Sequence, residues 1–98
     1  MDNTPFIKGG PFAEVGKKVI GEVFGLKGHC NMGHKVGDRF ELSAYNNGGL
    51  CGFFYYALYP YIMMLQFGGK WPDSWGGEVL EFDCPDRYNL LSVRIHPE

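Results

Sequence analysis

The sequence predicts an α+β fold: a mostly antiparallel sheet in the chain order β-β-α-β-β, with a helix over one face. Three observations support this prediction. Short runs of β-branched and aromatic residues, typical of strands, lie in both halves of the chain. One segment between them has apolar residues at spacings of three and four, which is typical of a helix. Turns rich in Gly, Pro and Asn separate these segments.

Four strands are predicted from the runs of strand-forming residues. They lie at residues 17–26, 39–42, 78–83 and 90–96. The first run is apolar on both faces, so we expect neighbouring elements to cover it on both sides for much of its length. Gly21 and Gly25 inside this run indicate a bend or a bulge. The last run alternates, with Leu91, Val93 and Ile95 directed toward the core.

The helix is predicted over residues 50–67. Its apolar stripe consists of Phe54, Ala57, Leu58, Tyr61 and Leu65. Pro60 lies in the middle, where it removes one backbone donor and clashes with the preceding turn. We therefore expect a kink near Tyr59, or two short helices. The pair Gly68-Gly69 ends the element, because glycine readily takes left-handed dihedral angles.

Length and composition predict one globular domain. The chain has 98 residues, of which 45% are hydrophobic and 20% charged, and this is enough for one modest core without disulfides. Residues 1–16 are rich in Gly and Pro, so we expect a flexible arm there. In this arm Phe6 and Phe12 are apolar side chains that could contact the domain or a neighbouring molecule. Residues 17–98 form the single α+β domain.

Charge and hydropathy argue against two classes of partner. The net charge is −2 and no dense basic patch is present, so we expect no nucleic acid as a partner. No apolar run reaches the roughly 18 residues that a bilayer-spanning helix needs. The N-terminal residues also lack the basic and apolar regions of a signal peptide. We therefore expect a cytoplasmic protein with no membrane partner.

Three cysteines and one histidine form a set of soft metal donors: Cys30, His34, Cys51 and Cys84. All four lie in predicted turns or at the ends of elements, where loops can converge. An odd number of cysteines excludes complete disulfide pairing within one chain, so in a reducing compartment they are thiols, thiolates or ligands. Zinc accepts three cysteines with one histidine, and iron–sulfur clusters accept thiolate-rich sets. The leading hypothesis is therefore a transition-metal site for zinc or iron, with no other cofactor identified.

The same residues allow two other hypotheses. In the first, the protein is a thiol-dependent redox or transfer enzyme with Cys51 as nucleophile, because free N–H groups at a helix start stabilise a thiolate. His34 is then the base, and Cys30 or Cys84 is the resolving thiol. In the second, Cys51 and Cys84 are small buried hydrophobic residues with a structural role.

Two aspartates follow turn residues of the candidate site. Asp38 and Asp86 are expected to cap their turns by accepting backbone N–H groups. Asp38 has a second possible role, which is to orient His34.

A dense aromatic group follows the second cysteine. Its candidate pocket residues are Tyr56, Tyr59, Trp71 and Trp75. Tyr and Trp favour half-buried positions, so these residues are expected in the core and in the interface of a homo-oligomer. Alternatively, they line a pocket for a small-molecule ligand beside the cysteines, with the Trp71–Trp75 loop as a lid. A fourth hypothesis is accordingly a non-catalytic ligand-binding or assembly module that uses this face.

Several motifs resemble those of a family of small uncharacterised prokaryotic proteins of about this length. They are Gly28-x-Cys30-x-x-Gly33-His34-Lys35-x-Gly37-Asp38-x-Phe40, Cys51-Gly52-Phe53-Phe54, Ala57-Leu58-Tyr59-Pro60-Tyr61, Phe67-Gly68-Gly69 and Cys84-Pro85-Asp86. The resemblance covers roughly residues 17–96, and Tyr56 stands where some members have a histidine. It implies that the three cysteines and His34 belong to one set, and it implies no reaction.

Overall fold

The computed structural model describes residues 16–98, so the predicted arm lies, except for Gly16, outside the described residues. The elements in chain order are β1 (Val19–Leu26), β2 (Arg39–Leu42), α1 (Gly52–Gln66), a short 3-10 helix (Asp73–Trp75), β3 (Leu80–Asp83) and β4 (Leu91–Pro97). The predicted α+β class is confirmed. Every strand and the α-helix begin and end within two residues of the predicted positions.

The four strands form one antiparallel sheet in the order β2-β1-β4-β3. The two central strands, β1 and β4, come from opposite ends of the described chain, and Val19 pairs with Pro97. Their register shifts between Val23 and Gly25, which confirms the predicted irregularity at Gly25. The extra residue, Phe24, lies under the guanidinium of Arg94, 4.7 Å from the centre of its ring.

The helix packs on one face of this sheet. The side chains that α1 buries are Phe54, Leu58, Ile62 and Leu65. They meet the inward residues of β4, which are Leu91, Val93 and Ile95, as predicted. The predicted helix stripe was wrong at two positions, because Ala57 is exposed and Tyr61 is half-buried. Ile62, which is not in the predicted stripe, is fully buried instead.

The other face of the sheet carries charged side chains. Glu22 accepts a hydrogen bond of 2.6 Å from Arg39, and Arg94 donates a 3.0 Å bond to Glu81. On this face of β1, Ile20 is buried, Glu22 is half-buried and Phe24 is exposed. The expectation that β1 is covered on both sides for much of its length was therefore wrong.

The α-helix is continuous through Pro60. Proline removes the bond that its amide would have donated to the carbonyl of Tyr56. Both residues lie on the exposed side of α1, where water can bond to that carbonyl. Two separate helices, one of the two predicted alternatives, are therefore not formed, and the kink near Tyr59 stays a prediction. Within residues 16–98 no helix is long and apolar enough to span a bilayer.

Candidate functional site

The three cysteines come together at one end of the sheet. Strands β1 and β3 both end there, beside the start of β4. Cys30 lies in the turn region after β1, Cys84 directly follows β3, and α1 brings Cys51 to the same end. All three are free, half-buried thiols that line one cavity of about 450 Å³. The structure thus brings together three cysteines that the sequence places at the ends of elements, where loops can converge.

Cys51 is the residue at the N-terminal boundary of α1. Its backbone is extended (φ −68°, ψ 162°), and its carbonyl accepts the first helical bond, 2.9 Å from the amide of Tyr55. The side chain makes no capping bond, so its sulfur is not tied to the helix backbone. The first turn contains no acidic residue that would offset the positive end of the helix dipole. The sulfur therefore lies at a helix terminus that favours negative charge.

Cys84 has a different electrostatic environment. Burial raises the pKa of the Cys84 thiol, and the charge and hydrogen bonding of Cys51 raise it further. The amide of Asp86, 3.5 Å from the Cys84 sulfur, donates to it and acts in the opposite direction. The thiol of Cys84 thus holds its proton more tightly than an ordinary cysteine, and the largest cause is burial.

Asn89 joins the turn that carries Cys30 to the turn that carries Cys84. Its carbonyl accepts the amides of Lys27 and Gly28 at 2.9 and 3.0 Å, and its side-chain oxygen accepts the amide of His29 at 2.8 Å. A side chain at position 28 would clash, because a Cβ there would lie 2.3 Å from that oxygen. Glycine at position 28 is therefore required by this close approach.

Asp86 holds Asn89 in place. Its carboxylate accepts the side-chain amide of Asn89 at 2.8 Å and the backbone amides of Tyr88 and Asn89 at 3.0 and 3.3 Å. These bonds, that from the Asn89 side chain above all, lower the pKa of Asp86. The predicted turn-capping role of Asp86 is confirmed. Asn89 was not identified from the sequence; an Asn three residues after an Asp in a turn was the available signal.

His34 faces away from the three thiols. Its Nε2 lies 3.0 Å from the carbonyl of Gly49, and because a carbonyl only accepts, this nitrogen carries a proton and donates it. Its Nδ1 lies 3.8 Å from the carboxylate of Asp38, and the ring packs on Phe40 with 5.0 Å between centroids. His34 is not among the residues that line the cavity. It fixes the loop that leads into Cys51, two residues after Gly49.

Asp38 caps its turn and lies near His34. Its carboxylate accepts the amide of Lys35 at 3.0 Å, which caps the turn, and this bond is the main reason that the pKa of Asp38 is lowered. The same carboxylate faces His34. The turn-capping prediction is confirmed.

The predicted ligand set is divided in the structure. Cys30, Cys51 and Cys84 share a cavity, whereas His34 bonds to Gly49. Among residues 16–98 no group of three or more His, Cys, Asp or Glu side chains is arranged so that it could hold a metal ion.

The predicted pocket aromatics lie outside the cysteine cavity. Tyr56 and Tyr59 border a separate groove along α1. Trp71 packs edge-on against Tyr61 and Trp75, at 5.4 and 6.0 Å between ring centroids. The Trp71–Trp75 loop follows the C-terminal end of α1, whereas Cys51 is at its N-terminal end. A helix of this length spans about 22 Å, so this loop is not a lid over the cysteines.

The aromatic residue that does line the cavity is Phe53, with Met32, Pro85 and Leu91 as the other apolar walls. It was not identified from the sequence as a pocket residue, although it lies only two positions after Cys51.

No protein-family model, no curated protein and no solved structure matches this chain. The resemblance described above therefore stays a prediction.

We expect Asn89→Ala to loosen the turn that carries Cys30. The substitution removes the bond to the amide of His29 and the bond to Asp86, at a cost of about 1–2 kcal/mol in the free energy of unfolding. Alkylation of Cys30 by iodoacetamide, followed by mass spectrometry, should become faster relative to wild type. Asn31→Ala, in the same turn, is the control and should leave this rate unchanged. An unchanged rate in Asn89→Ala would show that Asn89 does not hold the turn.

We also expect the protein to lose stability above about pH 8.5, the usual pKa of a free cysteine. Because the pKa of Cys84 is raised by folding, the folded protein holds this proton more tightly than the unfolded chain. The contribution of this proton to the free energy of unfolding is complete below the pKa that Cys84 has in the unfolded chain. It is lost as the pH rises through the higher pKa that Cys84 has in the folded protein. Urea unfolding from pH 7 to pH 10 should show a steeper decline for wild type than for Cys84→Ser, with Asn31→Ala behaving as wild type. Identical slopes for wild type and Cys84→Ser would refute this assignment.

Proposed function

We propose that the protein carries out thiol–disulfide exchange, with Cys51 as the attacking thiol and Cys84 as the second thiol. The observation that carries this proposal is that the Cys51 and Cys84 thiols line one cavity, where Cys51 contributes to the raised pKa of Cys84. Cys51 lies at the N-terminus of α1 with no capping bond on its side chain, whereas burial raises the pKa of the Cys84 thiol. One nucleophile and one proton donor are thus next to each other. Cytoplasmic thiols are kept reduced, which suits three free cysteines.

The exchange is written with a small disulfide R–S–S–R as co-reactant. The Cys51 thiolate attacks one sulfur, the substrate S–S bond breaks, and a mixed disulfide on Cys51 forms while R–S⁻ departs. Cys84 gives its proton to that R–S⁻, and its own thiolate then attacks the sulfur of Cys51. A Cys51–Cys84 disulfide forms and the second R–S⁻ leaves, to be protonated by water. The protein dithiol is oxidised by two electrons, and the substrate is reduced to two thiols.

His34 is not the base in this scheme. Its Nε2 donates to the carbonyl of Gly49 and so cannot accept a proton from a thiol. Its contribution is to hold the loop before Cys51. Cys30 lines the same cavity as a third thiol.

The cavity favours an uncharged, apolar substrate. Its walls include Met32, Phe53, Pro85 and Leu91, and Asp86 is the single charged side chain among the lining residues of the described chain. An anionic disulfide would lose hydration there and would face the carboxylate of Asp86, which stays ionised because its pKa is lowered.

A zinc or iron site is the second candidate function. It is favoured by the convergence of Cys30, Cys51 and Cys84, because thiolates are ligands for both metals. Against it stands the geometry of His34, which is bonded to Gly49. Stoichiometric zinc or iron in protein purified without chelators would favour this candidate over exchange.

The exchange is tested in a Cys30→Ser background with dithiodipyridine, an uncharged aromatic disulfide. We expect rapid release of two thiopyridone molecules per protein and a Cys51–Cys84 disulfide in peptide mapping, because Cys84 displaces the second half of the reagent. Adding Cys84→Ser should stop the reaction at one released molecule and a stable adduct on Cys51. Adding Cys51→Ser is the matched control and should slow the first release. Adducts on both cysteines without an internal disulfide would overturn the proposal.

The substrate preference is tested by Phe53→Ser. Loss of one aromatic wall is expected to slow the reaction of Cys51 with dithiodipyridine by about three- to tenfold, the usual range for an aromatic contact. Tyr56→Ser is a matched control, because Tyr56 is 83% exposed, compared with 81% for Phe53, and does not line the cavity. Equal rates in the two variants would mean that Phe53 does not contact the reagent.

A further inference from the structure

The segment around α1 contains no charged side chain over 27 consecutive residues, from Ser43 to Gly69. Although α1 lies on the surface, the side opposite its buried stripe is aromatic. The most exposed side chains there are Phe53 (81%), Tyr56 (83%), Phe67 (60%) and Tyr59 (40%). The face formed by these four residues, with Ala57 and Pro60 between them, is called the aromatic face below.

The aromatic face is large enough to bind another protein. Phe and Tyr side chains carry about 150–250 Å² each, so the four exposed fractions leave on the order of 500 Å² of aromatic surface in contact with water. If this surface is covered by an equal one, about 1,000 Å² is buried from these residues alone. That reaches the lower bound of about 1,000 Å² for a specific interface. The groove of about 470 Å³ lined by Tyr55, Tyr59 and Pro60 can receive an aromatic side chain from the other side.

We propose that the aromatic face binds the same face of a second copy of this chain. A two-fold axis brings the same patch of both copies together, and residues next to the axis meet their own counterparts, so charged residues there would face like charges. Here the face has no charge, so this penalty is absent. The hydroxyl groups of Tyr56 and Tyr59 can donate and accept across the axis. The outer face of the sheet is less suited to a two-fold interface than the aromatic face, because it carries charged side chains such as Glu22, Arg39 and Arg94.

A lipid surface fits the aromatic face less well. Binding to anionic lipids needs lysines or arginines around the apolar patch. The first cation after the uncharged segment, Lys70, forms an ion pair of 3.4 Å with Asp73, and the net charge of the chain is −2.

Phe53 belongs both to the aromatic face and to the wall of the cysteine cavity. A second copy packed on this face therefore lies beside the cavity and narrows its opening to solvent. The dimer does not depend on thiol–disulfide exchange, since it rests on the uncharged helix surface alone.

The test is the mass of the full chain in solution, measured by sedimentation equilibrium with reduced cysteines. A dimer with a Kd on the order of micromolar is expected for an interface of this size. Tyr56→Lys and Ala57→Glu each place two like charges at the interface, and each should weaken the dimer more than tenfold. Tyr88→Lys is the matched control: Tyr88 is 89% exposed, lies on the loop after Cys84, and its substitution should leave the dimer intact.

Circular dichroism checks that each variant keeps the fold, which is expected because positions 56 and 57 are exposed. A wild-type protein that is monomeric at all concentrations would overturn the proposal. The aromatic face would then be covered by something other than a second copy, such as residues 1–15 or a different protein. A dimer that survives both Tyr56→Lys and Ala57→Glu would overturn it as well. Dissociation in these two variants, with a dimer retained in Tyr88→Lys, supports it.

Discussion

The packing of α1 on strands β1 and β4 is the contact from which the candidate site follows. One helix stripe, from Phe54 to Leu65, is fully buried against the inward residues of β4. This contact fixes the direction of the helix and therefore the place of its first residue. Because β1 and β3 end where β4 begins, the N-terminus of α1 meets two strand ends at once. The meeting of three cysteines is a consequence of how the core is packed.

The three thiols at this point are not equivalent. Cys51 lies at a helix terminus, the pKa of Cys84 is raised chiefly by burial, and Cys30 is on a turn held by Asn89. This difference arises from burial and from the backbone around each sulfur, and requires no charged side chain in contact with Cys51. It supports different roles for the two thiols, with Cys51 attacking the substrate and Cys84 donating a proton.

Much of the fold could be predicted from the sequence, since apolar periodicity and turn residues mark every element. The same information could not fix the direction of single side chains. The spacing between Cys30 and His34 is compatible with both side chains binding one metal ion. In the structure, however, the imidazole of His34 bonds to the carbonyl of Gly49, and folding is what brings these two groups together. Likewise, helical periodicity places position 61 nearer than position 62 to the stripe of Phe54, Leu58 and Leu65, yet Ile62 is buried and Tyr61 only half-buried. The turn around Asp86 gave a signal for Asn89, but its bonds to the turn that carries Cys30 could not be predicted, because those backbone amides lie some 60 residues earlier.

The order of the strands has a consequence for how the protein is made. The sheet core is the pairing of β1 with β4, the first and the last strand of the described chain. Such distant pairing is slow to form, because a long loop must close before any contact stabilises it. During synthesis β1 has to wait for β4 to leave the ribosome, and the apolar helix remains uncovered in the meantime. The three thiols become neighbours only at that final step, so a nascent chain offers them separately to any reactant it meets.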